Sequence, residues 1–156
     1  MPFQSKIRKE VLVSSSADII WELLTDPEKF ILWWSEPTLS GEYERLDDTT
    51  FRLSRKHSPL AGTLTGKIIT RKPKQKLEWQ TTKVPTPFTD MTETWEIEET
   101  QGELIKVTFQ NSYTLGLPGF IGRAYNFIKL RPALGRMWRN ELRNLKYAAE
   151  ITLADS

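Results

Sequence analysis

The sequence predicts an α+β domain in which a curved antiparallel sheet wraps a long C-terminal helix around an apolar cavity. Three observations carry that expectation. Between Thr38 and Tyr113 the apolar residues alternate with period two in six successive segments. The turns between those segments are too short for the crossovers that parallel strands need. After Pro118-Gly119 the period changes to 3.6 and holds until about Ala149, the length of one long helix.

Taken in order, a first strand is expected over Ser5–Ser14, with Ile7, Val11 and Val13 on one face. Ser14-Ser15-Ser16-Ala17-Asp18 then offers N-cap residues ahead of IIWELL, so a first helix begins there and ends near Thr25. A second short helix starts at Asp26. Its first position is Pro27, where the missing N–H costs nothing, and it carries Phe30, Trp33 and Trp34 at helical spacing. Strands follow at Leu39–Leu46, Thr50–His57, Gly62–Arg71, Lys76–Lys83, Met91–Glu98 and Glu103–Tyr113, separated by turn signals such as Asp47-Asp48 and Lys72-Pro73-Lys74. The final helix has a seam of Phe120, Ala124, Phe127, Leu134, Trp138, Leu142 and Leu145, the face expected to lie on the sheet. Pro132 predicts a kink or local break near Leu130–Arg131. No repeat or linker divides the chain, so residues 1–156 read as one domain.

Composition excludes several chemistries. The 156 residues contain no Cys, which removes disulfides, thiolate nucleophiles and sulfur-bound zinc. His57 is the single histidine, so a His-rich metal site is excluded, and no cofactor is expected. The opening MPFQSKIRKEV lacks the apolar run of a signal peptide, and no stretch approaches the ~20 apolar residues of a membrane span. A cytoplasmic location is the resulting expectation. Six Trp and seven Phe are more rings than closing a small core ordinarily takes.

Period-two alternation assigns the interior. Phe51 and Leu53 set the inner face of one strand, which puts Arg55 and His57 on the same side nearer one end. Leu77, Trp79 and Thr81 share a face, Glu93, Trp95 and Ile97 another, and Ile105, Val107 and Phe109 lead to Asn111 and Tyr113. The interior is therefore expected to be aromatic at depth and polar near its opening, which suits a ligand with an apolar body and one polar group. The opening itself is expected where Leu60, Val84, Phe88, Leu115 and Leu117 fall on Pro-rich loops. The alternative is that these side chains plug the barrel end. Arg55, His57, Glu93 and Tyr113 form one polar constellation. It reads either as an Arg55–Glu93 ion pair at a wet barrel end, or as a site where His57 or Glu93 acts as general acid/base with Tyr113 as donor. Trp33 and Trp34 are core plugs or a stacking wall.

Four passages, EVLVSSSADIIWELLTDPEKFILWW, KIITRKPKQKLEW, TWEIEETQGELIKVTF and GRMWRNELRNLKYAAE, give the chain a wider likeness. With the strand order, it resembles the START-related (SRPBCC) superfamily with the birch-pollen-allergen or helix-grip fold, nearest its polyketide cyclase/dehydrase-like and coenzyme-Q-binding branches. The resemblance implies an internal site for lipids, sterols, quinones or polyketides. It carries over no catalytic residue, because the superfamily shares none that this sequence matches. The ligand-facing set implied by alternation and seam together is Trp33, Trp34, Phe51, Leu53, Arg55, His57, Trp79, Glu93, Trp95, Val107, Phe109, Asn111, Tyr113, Phe120, Ala124 and Phe127.

Charge is unevenly placed. Between Ile121 and Tyr147 seven basic residues face one acid, Glu141, a net charge of +6 against +2 for the whole chain. A basic helix face is either simply solvated or in contact with an anionic surface. Quinone-binding relatives work near membranes and others at ribosomes, so the resemblance admits lipid or RNA. With the helix aromatics expected on the buried seam, an RNA stacking platform is not formed, and an anionic membrane at Arg136, Arg139 and Arg143 is the better partner. Three functions follow: carriage of an apolar small molecule, cyclase/dehydratase catalysis through His57 or Glu93, or a non-catalytic interaction through the basic helix.

Overall fold

The computed structural model describes residues 2–34, 42–55, 62–84 and 87–155, with Pro2, Glu42 and Arg55 described by backbone alone. The order of elements is β1 (Pro2–Val13), α1 (Ala17–Thr25), α2 (Pro27–Trp34), β2 (Glu42–Arg45), β3 (Thr50–Arg55), β4 (Gly62–Lys72), β5 (Lys76–Lys83), β6 (Phe88–Glu99), β7 (Ile105–Pro118), α3 (Gly119–Tyr125), a π-helical turn (Asn126–Leu130) and α4 (Arg131–Ala154). The seven strands form one antiparallel sheet in the order β1-β7-β6-β5-β4-β3-β2. Strands two to seven are a meander, and β1 closes onto the far side of β7.

Local chemistry explains the boundaries. The Ser16 hydroxyl accepts from the Ile19 amide at 3.2 Å and caps α1. The Asp26 carboxylate accepts from the Glu28 amide at 3.0 Å, and Pro27 opens α2. Between β4 and β5 Lys74 takes the left-handed conformation (φ 63°) that the tight turn requires.

Several boundaries differ from expectation, among them the start of β1 at Pro2 rather than Ser5. β6 begins at Phe88 and β7 runs on to Pro118, so Phe88, Leu115 and Leu117 lie on strands rather than on mouth loops. The cause is pairing on both sides: Leu115 lies opposite Phe3 of β1 and Phe88 of β6, and the Gly116 amide donates to the Pro87 carbonyl at 2.9 Å. Phe88 and Leu115 are buried core residues. Val84 is partly buried against the core, and Leu60 lies outside the described residues.

The seam of the final helix also differs, in its first third. Leu134, Trp138, Leu142, Leu145 and Ala149 are buried as the 3.6 period requires. Upstream, the buried positions are Gly122, Asn126 and Leu130, while Phe120, Ala124 and Phe127 point outward, Phe120 at 78% and Phe127 at 62% exposure. The π turn is the reason. Pro132 has no N–H to continue the ladder, and the Arg131 amide bonds back to the Asn126 carbonyl. The turn therefore holds one extra residue, and the buried face moves by about one position. Gly122 makes this phase fit, since a Cβ there would sit 2.8 Å from Phe3 Cβ.

The core is an unbroken chain of eight rings. Centroid separations are 4.6 Å for Trp138–Phe109, 4.5 Å for Phe109–Trp95, 5.6 Å for Trp95–Trp33 and 4.9 Å for Trp33–Phe30. They continue at 5.0 Å for Phe30–Tyr43, 5.6 Å for Tyr43–Phe51 and 5.2 Å for Phe51–Trp79. Phe51 lies on Gly66, where any Cβ would meet its ring at 2.5 Å. The Trp33 indole N–H donates to the Leu23 carbonyl at 2.7 Å. The excess of rings noted in the sequence thus fills this core. The far end of α4 is tied down separately: the Ser14 amide donates to the Glu150 carboxylate at 2.8 Å and the Ser15 hydroxyl to the Ala149 carbonyl at 2.9 Å.

Trp138→Ala should destabilise the fold by about 3–5 kcal/mol, the usual loss for a buried aromatic, read as a lowered denaturant midpoint. The Glu150 carboxyl is held below its ordinary range first by the hydrogen bond from Lys146 and then by the Ser14 amide. A depressed carboxylate stabilises above its unfolded pKa and loses that contribution as pH falls through the folded one. The stability difference between the native chain and Glu150→Gln should therefore be full near neutrality. It should shrink once pH drops below the ordinary Glu value of 4.5, as urea titrations across pH would show.

Candidate functional site

β5, β6 and β7 each contribute one side chain to every rung of the inner sheet face, and their registers align three rungs. Leu77, Trp95 and Phe109 form the first, Trp79, Glu93 and Asn111 the second, and Thr81, Met91 and Tyr113 the third. β1 adds Lys9, Ile7 and Ser5 in turn. The first rung belongs to the aromatic core. The second is polar in its middle, and all three of its members are buried. Beyond the third rung the face becomes apolar again with Phe88 and Leu115. This refines the expected distribution: the polar groups form a band between two apolar zones.

Four buried polar atoms in these rungs have no hydrogen-bond partner among the described residues: Trp79 Nε1, Trp95 Nε1, Thr81 Oγ1 and Asn111 Oδ1. Two are obligate donors, one is an acceptor, and the hydroxyl can act either way. Leaving such an atom unsatisfied inside a protein costs about 1–3 kcal/mol. Asn111 Nδ2 donates to Glu93 Oε1 over a long 3.5 Å. Glu93 is 4% exposed, so its carboxyl sits deep in the band.

Tyr113 closes the band on the helix side. Its hydroxyl donates to Asn126 Oδ1, Asn126 Nδ2 donates to Ser5 Oγ at 3.3 Å, and Arg131 reaches Ser5 Oγ at 3.1 Å and the Lys6 carbonyl at 2.9 Å. Burial is the main cause that raises the Tyr113 phenol above its ordinary pKa, against smaller opposing effects of Ser5 and Arg131. The hydroxyl is thus a structural donor that pins the π turn to β7, not a free partner for Glu93.

The sequence-derived set divides accordingly. Trp33, Trp34, Phe51, Leu53, Trp79, Trp95 and Phe109 are buried, and all but Leu53 take part in the ring contacts of the core. Val107 is buried opposite Ile97, at the end away from the opening. Glu93, Asn111 and Tyr113 come together as described. The Arg55 side chain and the whole of His57 lie outside the described residues. Phe120, Ala124 and Phe127 line an outer groove with Phe3, not the interior. Thr81, Met91 and Asn126 were not singled out. Alternation already placed Thr81 inward, whereas Asn126 was hidden by the shift in helix phase.

At the end of the sheet where β2 meets β3, the cavity bounded by Leu24, Phe30, Tyr43, Phe51 and Trp79 measures about 10 Å³. That is room for roughly one water. Among the described residues no group of three His, Cys, Asp or Glu side chains is placed to hold a metal, and no helix is long and apolar enough to cross a membrane.

The family profile described as polyketide cyclase / dehydrase and lipid transport matches residues 4–150. No curated protein matches the chain. Among solved structures, the aromatase/cyclase ZhuI from Streptomyces sp. R1128 superposes with a TM-score of 0.71 at 16% identity, over 94% of each chain. Norcoclaurine synthase from Thalictrum flavum gives 0.65 at 17% identity, covering 94% of this chain and 98% of that one. The di-domain aromatase/cyclase StfQ of the steffimycin biosynthetic pathway gives 0.73 at 16% identity, covering 97% of this chain and 53% of StfQ. Likeness at these identities establishes a shared fold.

Tyr113→Phe tests the pin. It leaves the buried Asn126 carbonyl without its donor, so the fold should lose about 1–3 kcal/mol in urea denaturation, with the sheet spectrum in circular dichroism unchanged.

Proposed function

The chain belongs to the polyketide cyclase/dehydrase and lipid transport family, and from that premise we propose that it binds an apolar small molecule bearing one polar group. The body of the ligand lies against the inner face toward the Phe88–Leu115 end, and its polar group meets the band at Thr81 and Asn111. The observation that supports this reading is the set of four buried polar atoms without protein partners, spread over three adjacent rungs. A carbonyl oxygen would accept from an indole N–H or the threonine hydroxyl, and a hydroxyl would donate to Asn111 Oδ1. The family description, polyketide cyclase and lipid transport, and the neighbours named as aromatase/cyclases and a norcoclaurine synthase point to compounds of this general kind, and lipids and quinones fit the same chemistry.

A second reading, cyclase/dehydratase-type catalysis, is favoured by one observation: Glu93 is a carboxyl buried beside Asn111. A buried carboxyl next to a bound carbonyl compound can transfer protons as a general acid or base. Glu93→Gln would then abolish turnover of a polyketone while leaving its binding intact. Loss of binding and turnover together would assign Glu93 to binding alone.

A fluorescent acyl probe with a terminal carbonyl tests the first reading. It should draw energy transfer from Trp79 and Trp95, and each added CH₂ should strengthen binding by about 0.8 kcal/mol until the space is full. Thr81→Val with Asn111→Leu should weaken the carbonyl probe by about 1–3 kcal/mol and leave its hydrocarbon analogue unchanged. An unchanged affinity of the variant for the carbonyl probe would place the ligand elsewhere.

A further inference from the structure

The π turn that buries Asn126 turns a different face to the outside, and that face is apolar. Phe120 is 78%, Ile128 73%, Phe127 62% and Ile121 44% exposed on two consecutive helical turns. Large side chains scattered singly on a surface need no explanation, but a contiguous set on one short segment does. The same stretch is basic throughout. From Gly119 to Asn140 there are five basic residues and no acidic one, and Arg123 and Lys129, within the apolar face, are both exposed. Between this face and the start of β1 runs an open groove of about 730 Å³ bordered by Phe3, Phe120, Arg123 and Phe127. The sheet fixes its place: Pro2 pairs with Pro118, and Phe88 begins β6 opposite Leu115, so α3 stands at the Phe88–Leu115 end of the sheet.

We propose that α3 and the π turn form a docking surface for an anionic lipid bilayer, with Phe120, Phe127 and Ile128 inserted at the headgroup boundary and Arg123 and Lys129 on the phosphates. Charge decides the occupant. A second copy of the chain would set this basic face against itself, cation to cation, which a two-fold contact cannot avoid. Single-stranded RNA offers the right sign, but Ile121 and Ile128 have no π face to stack on bases. Aromatic and aliphatic side chains flanked by Arg and Lys on a helix surface are the composition of interfacial membrane binding. The surface differs from the one the sequence suggested, since Arg136, Arg139 and Arg143 on α4 lie near one large exposed side chain, Tyr147, rather than a contiguous apolar set. It is independent of what the interior holds.

Vesicle cosedimentation of the intact chain tests it, using phosphatidylcholine alone and phosphatidylcholine with about a third replaced by phosphatidylserine. The chain should pellet with the anionic vesicles, and much less so at about 1 M salt, where screening is complete within ~3 Å. Phe120→Asp with Phe127→Asp should lower partitioning at least about tenfold. Circular dichroism and the thermal midpoint should not move, because both side chains are exposed. Arg123→Glu with Lys129→Glu should lower it by about fivefold or more per charge on anionic vesicles only. The proposal is overturned by any of four results: no pelleting with anionic vesicles, equal pelleting with neutral ones, full retention by the Phe120/Phe127 variant, or a concentration-dependent dimer that this variant abolishes. Tight binding of an RNA oligonucleotide without vesicle binding would overturn it in favour of nucleic acid.

Discussion

Rings packed 4.5–5.6 Å apart, centre to centre, leave no space between them for anything else. The chain from Trp138 on α4 through β7, β6, α2, β2 and β3 to Trp79 on β5 draws on six of the elements around the interior and on the helix that covers it. Such pairs add about 0.5–1.5 kcal/mol each beyond the area they bury, but their geometric effect matters more. They fix the height of α4 above the sheet and fill one end of the enclosed volume. The rings thus form a barrier across the inner face of the sheet. The short helices after β1 are part of the same constraint, since Phe30 and Trp33 supply the link between β6 and the edge strands.

Above that barrier the chain keeps polar atoms where an apolar core would be more stable. Replacing Thr81 with a residue of similar shape and no polar atom would relieve an unsatisfied group, whereas losing Asn111 would also take from Glu93 the amide that donates to it. This retained polarity is the observation on which the proposed binding site rests. Tyr113 and Asn126, by contrast, satisfy each other and Ser5, and they belong to the scaffold. Two polar groups one rung apart on the same strand, Asn111 and Tyr113, thus do different work. Their hydrogen bonds, not their residue types, tell them apart.

Much of the fold was legible in the sequence because strand alternation is insensitive to small errors of boundary. Leu77, Trp79 and Thr81 face inward whether β5 begins at Lys76 or a residue either side. The Ser16 cap, the Pro27 start and the break after Leu130 follow from single residues with one physical role each. The inner polar band was legible in part, through Glu93 and Asn111. Its relation to Tyr113 was not, because that hydroxyl answers to Asn126 across more than ten residues of chain. The outer face of α3 was misread for a cumulative reason. Helical phase carried backward from Leu134 and Trp138 is correct until one extra residue enters, and every position before it is then displaced. Pro132 announced that the ladder would break, but not that it would break by gaining a residue.

The π turn also bears on how this protein can change over generations. It is one residue longer than the α-helical turn it replaces, so losing a single codon between Asn126 and Leu130 would restore regular winding. Because the wide turn takes up that residue between two α-helical stretches, the loss would keep Gly122 facing the sheet and Phe120 and Ala124 facing outward. The turn is therefore a place where descendants of this domain can differ in length by one residue without exchanging the lining of the interior for the outer surface.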